Sequence, residues 1–255
     1  MNFIDTHTHL YVKDFNEDIE AVVNRALSNN ITKFCLPAID SETSQAMLDL
    51  QLKFPDHMHI MAGLHPTSVS NNYKAELEHV KQQLSQHNCI AVGEIGIDLY
   101  WDKSFLTEQQ DAFKAQIKLA KQHHLPIVIH CREAFDEVFE VLESEKDDDL
   151  FGIFHCFTGT LEQAKQAINL NMKLGLGGVL TFKNGKIDQF MHLINLKHIV
   201  LETDAPYLAP KPYRGKRNES SYLIKVAERL AEIHNRSIEE IAEITTQNAK
   251  TVFNI

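Results

Sequence analysis

Five short apolar runs in this 255-residue chain end in a histidine or a carboxylate, the side chains that bind divalent metals. They are FIDTHTHL with His7 and His9, IAVGEIGID with Glu94, LPIVIHCRE with His130, GIFHCFTG with His155 and HIVLETDAP with Asp204. In a strand, side chains i and i+2 face the same way, so His7 and His9 can present two imidazoles to one ion. That pair alone carries little information in a sequence with fourteen histidines. The other endings add to it. Glu94 offers two oxygens and can bridge two cations, His130 and His155 supply nitrogen to a second ion, and Asp204 can bind metal while taking a proton from bound water. By contrast His79, His87, His123 and His124 sit in helical or polar stretches and read as solvated. The competing explanation, polar strand caps beneath exposed loops, serves for Glu94 near Gly93 and Gly96 by itself but needs a coincidence to cover all five endings.

The elements that must position these residues alternate along the whole sequence. Apolar runs at Phe3–Ile4, Lys33–Ile39, Ile60–Gly63, Ile90–Gly93, Pro126–Ile129, Gly152–Phe154, Met172–Leu176 and His198–Leu201 predict eight strands. Helical spacing follows from Phe15 to Leu27, near Glu42–Lys53 and Ala75–Ser85, from Thr107, where Thr107 and Gln110 have capping-box spacing, and over Ala134–Glu145 and Leu161–Leu170. Two more helical stretches, Ser221–His234 and Ile238–Phe253, close the chain. This alternation predicts parallel strands with helical crossovers. The polar residues fall at the C-terminal ends of the runs, the face on which barrel enzymes build their sites, and the length is near the ~250 residues typical of a (β/α)8 TIM barrel. No GxGxxG or GxxxxGK[ST] supports an open nucleotide-binding sheet. No linker or charge block divides residues 1–255, which read as one domain.

Composition narrows the function. The formal charge of −10 excludes the broad basic footprint of a nucleic-acid-binding domain, so any polyanion must be attracted locally, by bound cations or a basic loop. The N-terminus MNFIDTHTHL lacks a secretory pattern, and no apolar run reaches the ~18 residues of a membrane helix, so no membrane association and a cytoplasmic location are expected. Cys35, Cys89, Cys131 and Cys156 show no CxxC spacing and read as reduced packing residues. A monomer is the default expectation.

FIDTHTHL, GLHP (Gly63–Pro66), GEIGIDLYW (Gly93–Trp101), IHCRE (Ile129–Glu133), HCFTG (His155–Gly159), ETDAPYLAP (Glu202–Pro210) and RGKRN (Arg214–Asn218) occur in this order over almost the whole chain. Together they resemble the TatD family of metal-dependent hydrolases and deoxyribonucleases. The resemblance implies an amidohydrolase-like barrel with two divalent ions, one held by His7, His9, Glu94 and Asp204, the other by Glu94, His130 and His155. Glu94 then bridges, where some related barrel hydrolases use a carbamylated lysine. After the basic loop the family usually reads RNEP, whereas this chain reads Arg217-Asn218-Glu219-Ser220, and the missing proline is expected to loosen the loop.

Further residues have candidate roles. His65 can donate to a phosphate oxygen or a leaving group, or sit hydrogen-bonded under its loop. Glu202 can orient ligands or water, or serve only the strand end. Arg132, Arg214, Lys216 and Arg217 can pair with phosphate or be solvated. Tyr100 and Trp101 can stack a base or pack a loop. The reading that follows is hydrolysis of a phosphodiester by metal-activated water, with Asp204 as the base. By the resemblance, the substrate is DNA at single-stranded or frayed ends. The alternatives are a small-molecule ester, amide or lactone hydrolase with the same site, and a binding barrel that keeps metals for stability. The ligand types admit Zn, Mn, Co or Fe, and Mg where water fills open positions.

Overall fold

A computed structural model describes residues 1–255. Eight parallel strands run in chain order: β1 (Phe3–Asp5), β2 (Ile31–Leu36), β3 (Met58–Ile60), β4 (Val92–Asp98), β5 (Ile127–Arg132), β6 (Gly152–Phe154), β7 (Met172–Leu176) and β8 (Ile199–Leu201). Regular pairing joins β1-β2-β3 and β4-β5-β6-β7-β8. Two seams close the ring. Ile90 N–H donates to the Ile60 carbonyl at 3.0 Å and Gly93 N–H to that of Ala62 at 2.9 Å, while Thr6 N–H donates to the Leu201 carbonyl at 3.0 Å. Closure leaves no strand edge to solvate, and the protein is a (β/α)8 barrel.

The helices are α1 (Ile19–Ser28), α2 (Ser41–Lys53), α3 (Tyr73–Gln86), α4 (Leu106–Gln122), α5 (Phe135–Ser144), α6 (Leu161–Asn169), α7 (Leu223–His234) and α8 (Ile238–Phe253). Reciprocal capping boxes start three of them, at Asp40/Thr43, Thr160/Gln163 and Ser237/Glu240. The expected box at Thr107/Gln110 does not form, because α4 begins at Leu106 and Thr107 already lies in its first turn. The stretch from Phe15 divides into a 3-10 turn at Lys13–Phe15 and α1. Between β7 and β8 the crossover is a series of 3-10 turns rather than an α-helix. None of the helices is long and apolar enough to cross a membrane.

Two apolar cores follow from strand alternation. One fills the space between strands and helices. The other takes Ile4, Cys35, Met61, Val128, Ile153 and Val200 from strand after strand and adds Val252 and Phe253, so it is the barrel interior, floored by the end of α8. The opposite, C-terminal mouth is left for polar groups.

Candidate metal centre

β4 and β5 continue past their apolar runs, so Glu94 and His130 lie inside strands rather than at their ends. Gly96, at φ +137°, permits this, since a Cβ there would collide with the His130 carbonyl. His7 and His9 follow β1 and are fixed across the seam: Asp204 N–H donates to the His7 carbonyl at 2.9 Å, and His9 N–H to that of Ala205 at 2.8 Å. Asp204 itself is left-handed at φ +57°, a conformation Asp tolerates better than most residues. Beneath the seam the buried Asp5 carboxylate accepts from Thr203 N–H (2.9 Å), Thr203 Oγ1 (2.6 Å) and Ser220 Oγ (2.6 Å), and burial lifts it to about 7. The segment at Ser220 is therefore tied down rather than loosened. Its neighbour Glu219 also holds Arg25 through contacts as short as 2.6 Å.

Glu94 stands at the centre, with its two oxygens facing different groups. Oε2 lies 3.1 Å from His7 Nε2 and 3.5 Å from His9 Nε2, and these nitrogens lie 3.9 and 3.6 Å from Asp204 Oδ1. Oε1 lies 2.8 Å from His130 Nδ1 and 3.5 Å from His155 Nε2. Ligands of a tetrahedral ion with bonds of about 2.1 Å sit roughly 3.4 Å apart, so the spacing suits bound cations.

Hydrogen bonds at the far side of each ring decide what the near side offers. Tyr11 donates its hydroxyl to the Pro37 carbonyl at 2.6 Å, so its oxygen accepts the His9 Nδ1 proton at 3.1 Å. His130 Nε2–H donates to Asp98 Oδ2 at 2.8 Å, whereas His155 Nδ1 makes an ion-pair contact with Glu202 Oε1 at 2.9 Å without the geometry of a hydrogen bond. Without a cation between them, the near-side nitrogens can meet the Glu94 and Asp204 oxygens only by holding a proton or by opposing lone pairs, and bound metal would replace either arrangement. The donor set therefore fits divalent metal. His65 differs. Its Nδ1 accepts Thr67 N–H at 3.1 Å, which leaves the proton on Nε2, 3.2 Å from His130 Nδ1 and 3.5 Å from Glu94 Oε1. Burial holds His65 below its ordinary range, so it is a neutral N–H donor at the second group's edge.

The cluster's own charges show the same need. Burial raises Glu94, but His7, His155 and His65 more than reverse this and hold it well below the carboxylate range. Burial pulls His155 down, yet Glu202, Glu94 and Asp204 lift it to about 10. His7 is driven well below its usual value by burial and the neighbouring His155. Asp204 is raised by burial to about 6, with His155 and His9 opposing. Protons thus stand where cations belong, and metal binding would release them.

Other expected residues sit as follows. Glu202 is fully buried behind His155 and accepts from Cys156 N–H, and a Cβ at Gly175 would collide with its carboxylate. Arg132 lies 3.8 Å over the Tyr100 ring and Arg214 lies 3.7 Å over that of Phe182, neither paired with a carboxylate. Arg217, expected to capture phosphate, is instead held by both oxygens of Asp18 at 2.8 and 2.7 Å and by the Asp14 carbonyl. His79 is half-buried and 2.8 Å from Ser44 Oγ rather than solvated. Sequence reasoning missed Asp98, Tyr11 and Asp5. Asp98 had a signal, since it lies four residues beyond Glu94 on the same strand, where side chains share a face.

Imidazoles and carboxylates buried at the C-terminal mouth of a closed (β/α)8 barrel are the setting of a metal-dependent hydrolase. The TatD related DNase family model matches residues 4–254, and the chain belongs to that family. It is 38% identical over 252 residues to the uncharacterized metal-dependent hydrolase YabD of Bacillus subtilis strain 168, covering 98% of each chain. The crystal structure of YjjV, a TatD homolog from Escherichia coli K12, superposes with a TM-score of 0.93 at 32% identity, covering 99% of this chain and 98% of the other. The phosphotriesterase homology protein of E. coli, crystallised with phosphate in its active site, shares the fold with a TM-score of 0.72 at 14% identity, covering 99% and 98%.

Proposed function

We propose that this protein is a two-metal phosphodiesterase that cleaves DNA at single-stranded or frayed ends. The observation that carries this reading is the division of Glu94, whose Oε2 faces His7 and His9, which in turn face Asp204, while Oε1 faces His130 and His155. When bound, divalent ions there lower the pKa of water and neutralise charge developing on phosphoryl oxygens.

The chain's own groups supply the rest. Asp204 takes the proton of the attacking water. His65 Nε2–H donates to a phosphoryl or leaving oxygen, and Asp98, Glu202 and Tyr11 keep the imidazoles aimed. A chain of net charge −10 must hold a polyanion locally; Arg132 ends β5, and Lys103, Lys183, Lys211, Arg214 and Lys216 lie on the loops that follow β4, β7 and β8, all without ion-pair partners. A mouth of this kind admits a strand end more readily than a continuous duplex.

The test loads metal-free protein with Mg, Mn, Zn, Co or Fe and offers end-labelled single- and double-stranded DNA beside a panel of esters and lactones. Single-stranded ends are cleaved in at least one metal and chelation abolishes the activity. Asp204→Asn keeps much of its metal but loses roughly 10²–10⁴-fold in turnover, as expected for a lost general base. Ester or lactone turnover without DNA cleavage would overturn the assignment. An Asp204→Asn enzyme of near-parental rate would place the base elsewhere.

A further inference from the structure

Four of the seven large hydrophobic side chains exposed on this protein fall in two pairs, Tyr100 and Trp101 after β4 and Tyr207 and Leu208 after β8. Trp101 is 70% exposed and Tyr100 49%, so the only tryptophan of the chain does not pack its loop. An exposed aromatic alone is ordinary surface. Three features set this pair apart.

The first is tethering. Tyr100 and Trp101 N–H both donate to Asp98 Oδ1, at 2.9 and 3.1 Å, while Asp98 Oδ2 accepts from His130. One carboxylate thus anchors the aromatic turn and a metal-facing imidazole, and places the rings two hydrogen bonds from the centre. The second is Arg132, whose guanidinium lies 3.8 Å over Tyr100 and 5.5 Å from the Trp101 ring centre. A stacked guanidinium keeps its N–H edge free, and no carboxylate occupies it here. The third is mutual orientation: the rings meet edge to face, 4.9 Å apart at 86°, which leaves a Trp101 face open. An aromatic face beside an unpaired guanidinium edge matches a base beside its phosphate.

We propose that Trp101, braced by Tyr100 and Arg132, is the stacking site for a base of the single-stranded substrate next to the scissile phosphate. This rests on the nuclease reading and assigns the residues that would hold its substrate.

Because Trp101 is the sole tryptophan, its fluorescence reports on the site directly. Metal-loaded Asp204→Asn protein, which holds substrate without turning it over, is titrated with a short thymidine oligonucleotide and with a tetrahydrofuran abasic strand of equal length. The thymidine strand quenches Trp101 and the abasic strand does not. In the active enzyme, Trp101→Ala raises KM for the thymidine strand roughly 5- to 100-fold, so the KM difference between the two strands collapses, and Trp101→Phe restores most of it. Equal quenching by both strands, or parental KM values in Trp101→Ala, overturns the stacking site while DNA cleavage by the parent leaves the nuclease reading standing. A parent that hydrolyses esters but not DNA overturns both.

Discussion

Replacing Asp98 by asparagine separates two tasks that one carboxylate performs. Oδ2 accepts the His130 Nε2 proton at 2.8 Å, and Oδ1 accepts from the backbone of Tyr100 and Trp101. Burial raises Asp98, but the His130 and backbone donors prevail and keep it below the usual carboxylate range, so it is an ionised acceptor. The asparagine oxygen can still hold the turn. Its amide nitrogen, however, is a donor facing a donor, so His130 must rotate or carry its proton on Nδ1, the atom 2.8 Å from Glu94 Oε1. Losing such an orienting carboxylate costs roughly 10- to 100-fold in metal affinity, or about 1.4–2.8 kcal/mol. Asp98→Ala suffers this and also loses the turn, about 1 kcal/mol by analogy with other side-chain caps. Affinity is measured by competition with a chromophoric chelator and stability by melting in excess chelator. Asp98→Asn should bind metal more weakly yet melt near the parent, while Asp98→Ala melts lower by roughly 2–4 °C. Parental metal affinity in Asp98→Asn would refute the orienting role, and equal melting of the two variants would refute the role in the turn.

Glu94→Ala should lose more metal per chain than His7→Ala, because it removes an oxygen from both donor groups; elemental analysis checks this, and parental metal content would refute a shared carboxylate. Arg132→Ala combined with Arg214→Ala should flatten the salt dependence of kcat/KM on a single-stranded oligonucleotide by about 0.7 for each phosphate no longer held, mainly through KM, and unchanged slopes would show that these arginines do not hold the strand. Arg217→Ala, by contrast, should lower the melting temperature without altering the slope, because that guanidinium is committed to Asp18. Burial and the Lys33 ammonium 3.0 Å away push His59 from 6.5 down to about 4. Over that window the unfolded chain binds a proton that the folded chain refuses, so stability rises with pH and is lost as pH falls from 6.5 towards 4. His59→Gln should flatten this part of the profile, and urea midpoints that fall equally between pH 7 and pH 4.5 in parent and variant would contradict it.

The metal-facing residues are legible because histidine and carboxylate are rare inside apolar runs, and the strand rule needs only neighbours two apart. The same rule hides Asp98: a polar residue marks the end of an apolar run, so β4 reads as stopping before Glu94 when it continues to Asp98. Arg217 misleads for a different reason. Its partner Asp18 is 199 residues away, and no local pattern announces an ion pair of that span. The His9 tautomer depends on a carbonyl at Pro37, outside every motif, and so is not readable from the residues flanking the histidine. The β7–β8 crossover lacks an α-helix because its turns close through 3-10 bonds at several short stations, which a 3.6-residue period does not detect.

The seam between β1 and β8 bears on how the protein is made. Thr6 and Leu201 meet across 195 residues, and the imidazoles of His7 and His9 reach Asp204 only through that meeting. During synthesis the first histidines emerge long before their carboxylate partner exists, so a nascent chain offers an ion only half a grip. On the proposed ligand set, an ion held by His7, His9 and Asp204 would act as a clasp on nearly the whole polypeptide. A cross-link over a loop of that length is worth on the order of 5 kcal/mol in restricted chain entropy. Metal binding would then fasten a ring that the Thr6–Leu201 seam has already closed, so that metal-loaded chains should resist opening of that seam more than metal-free ones.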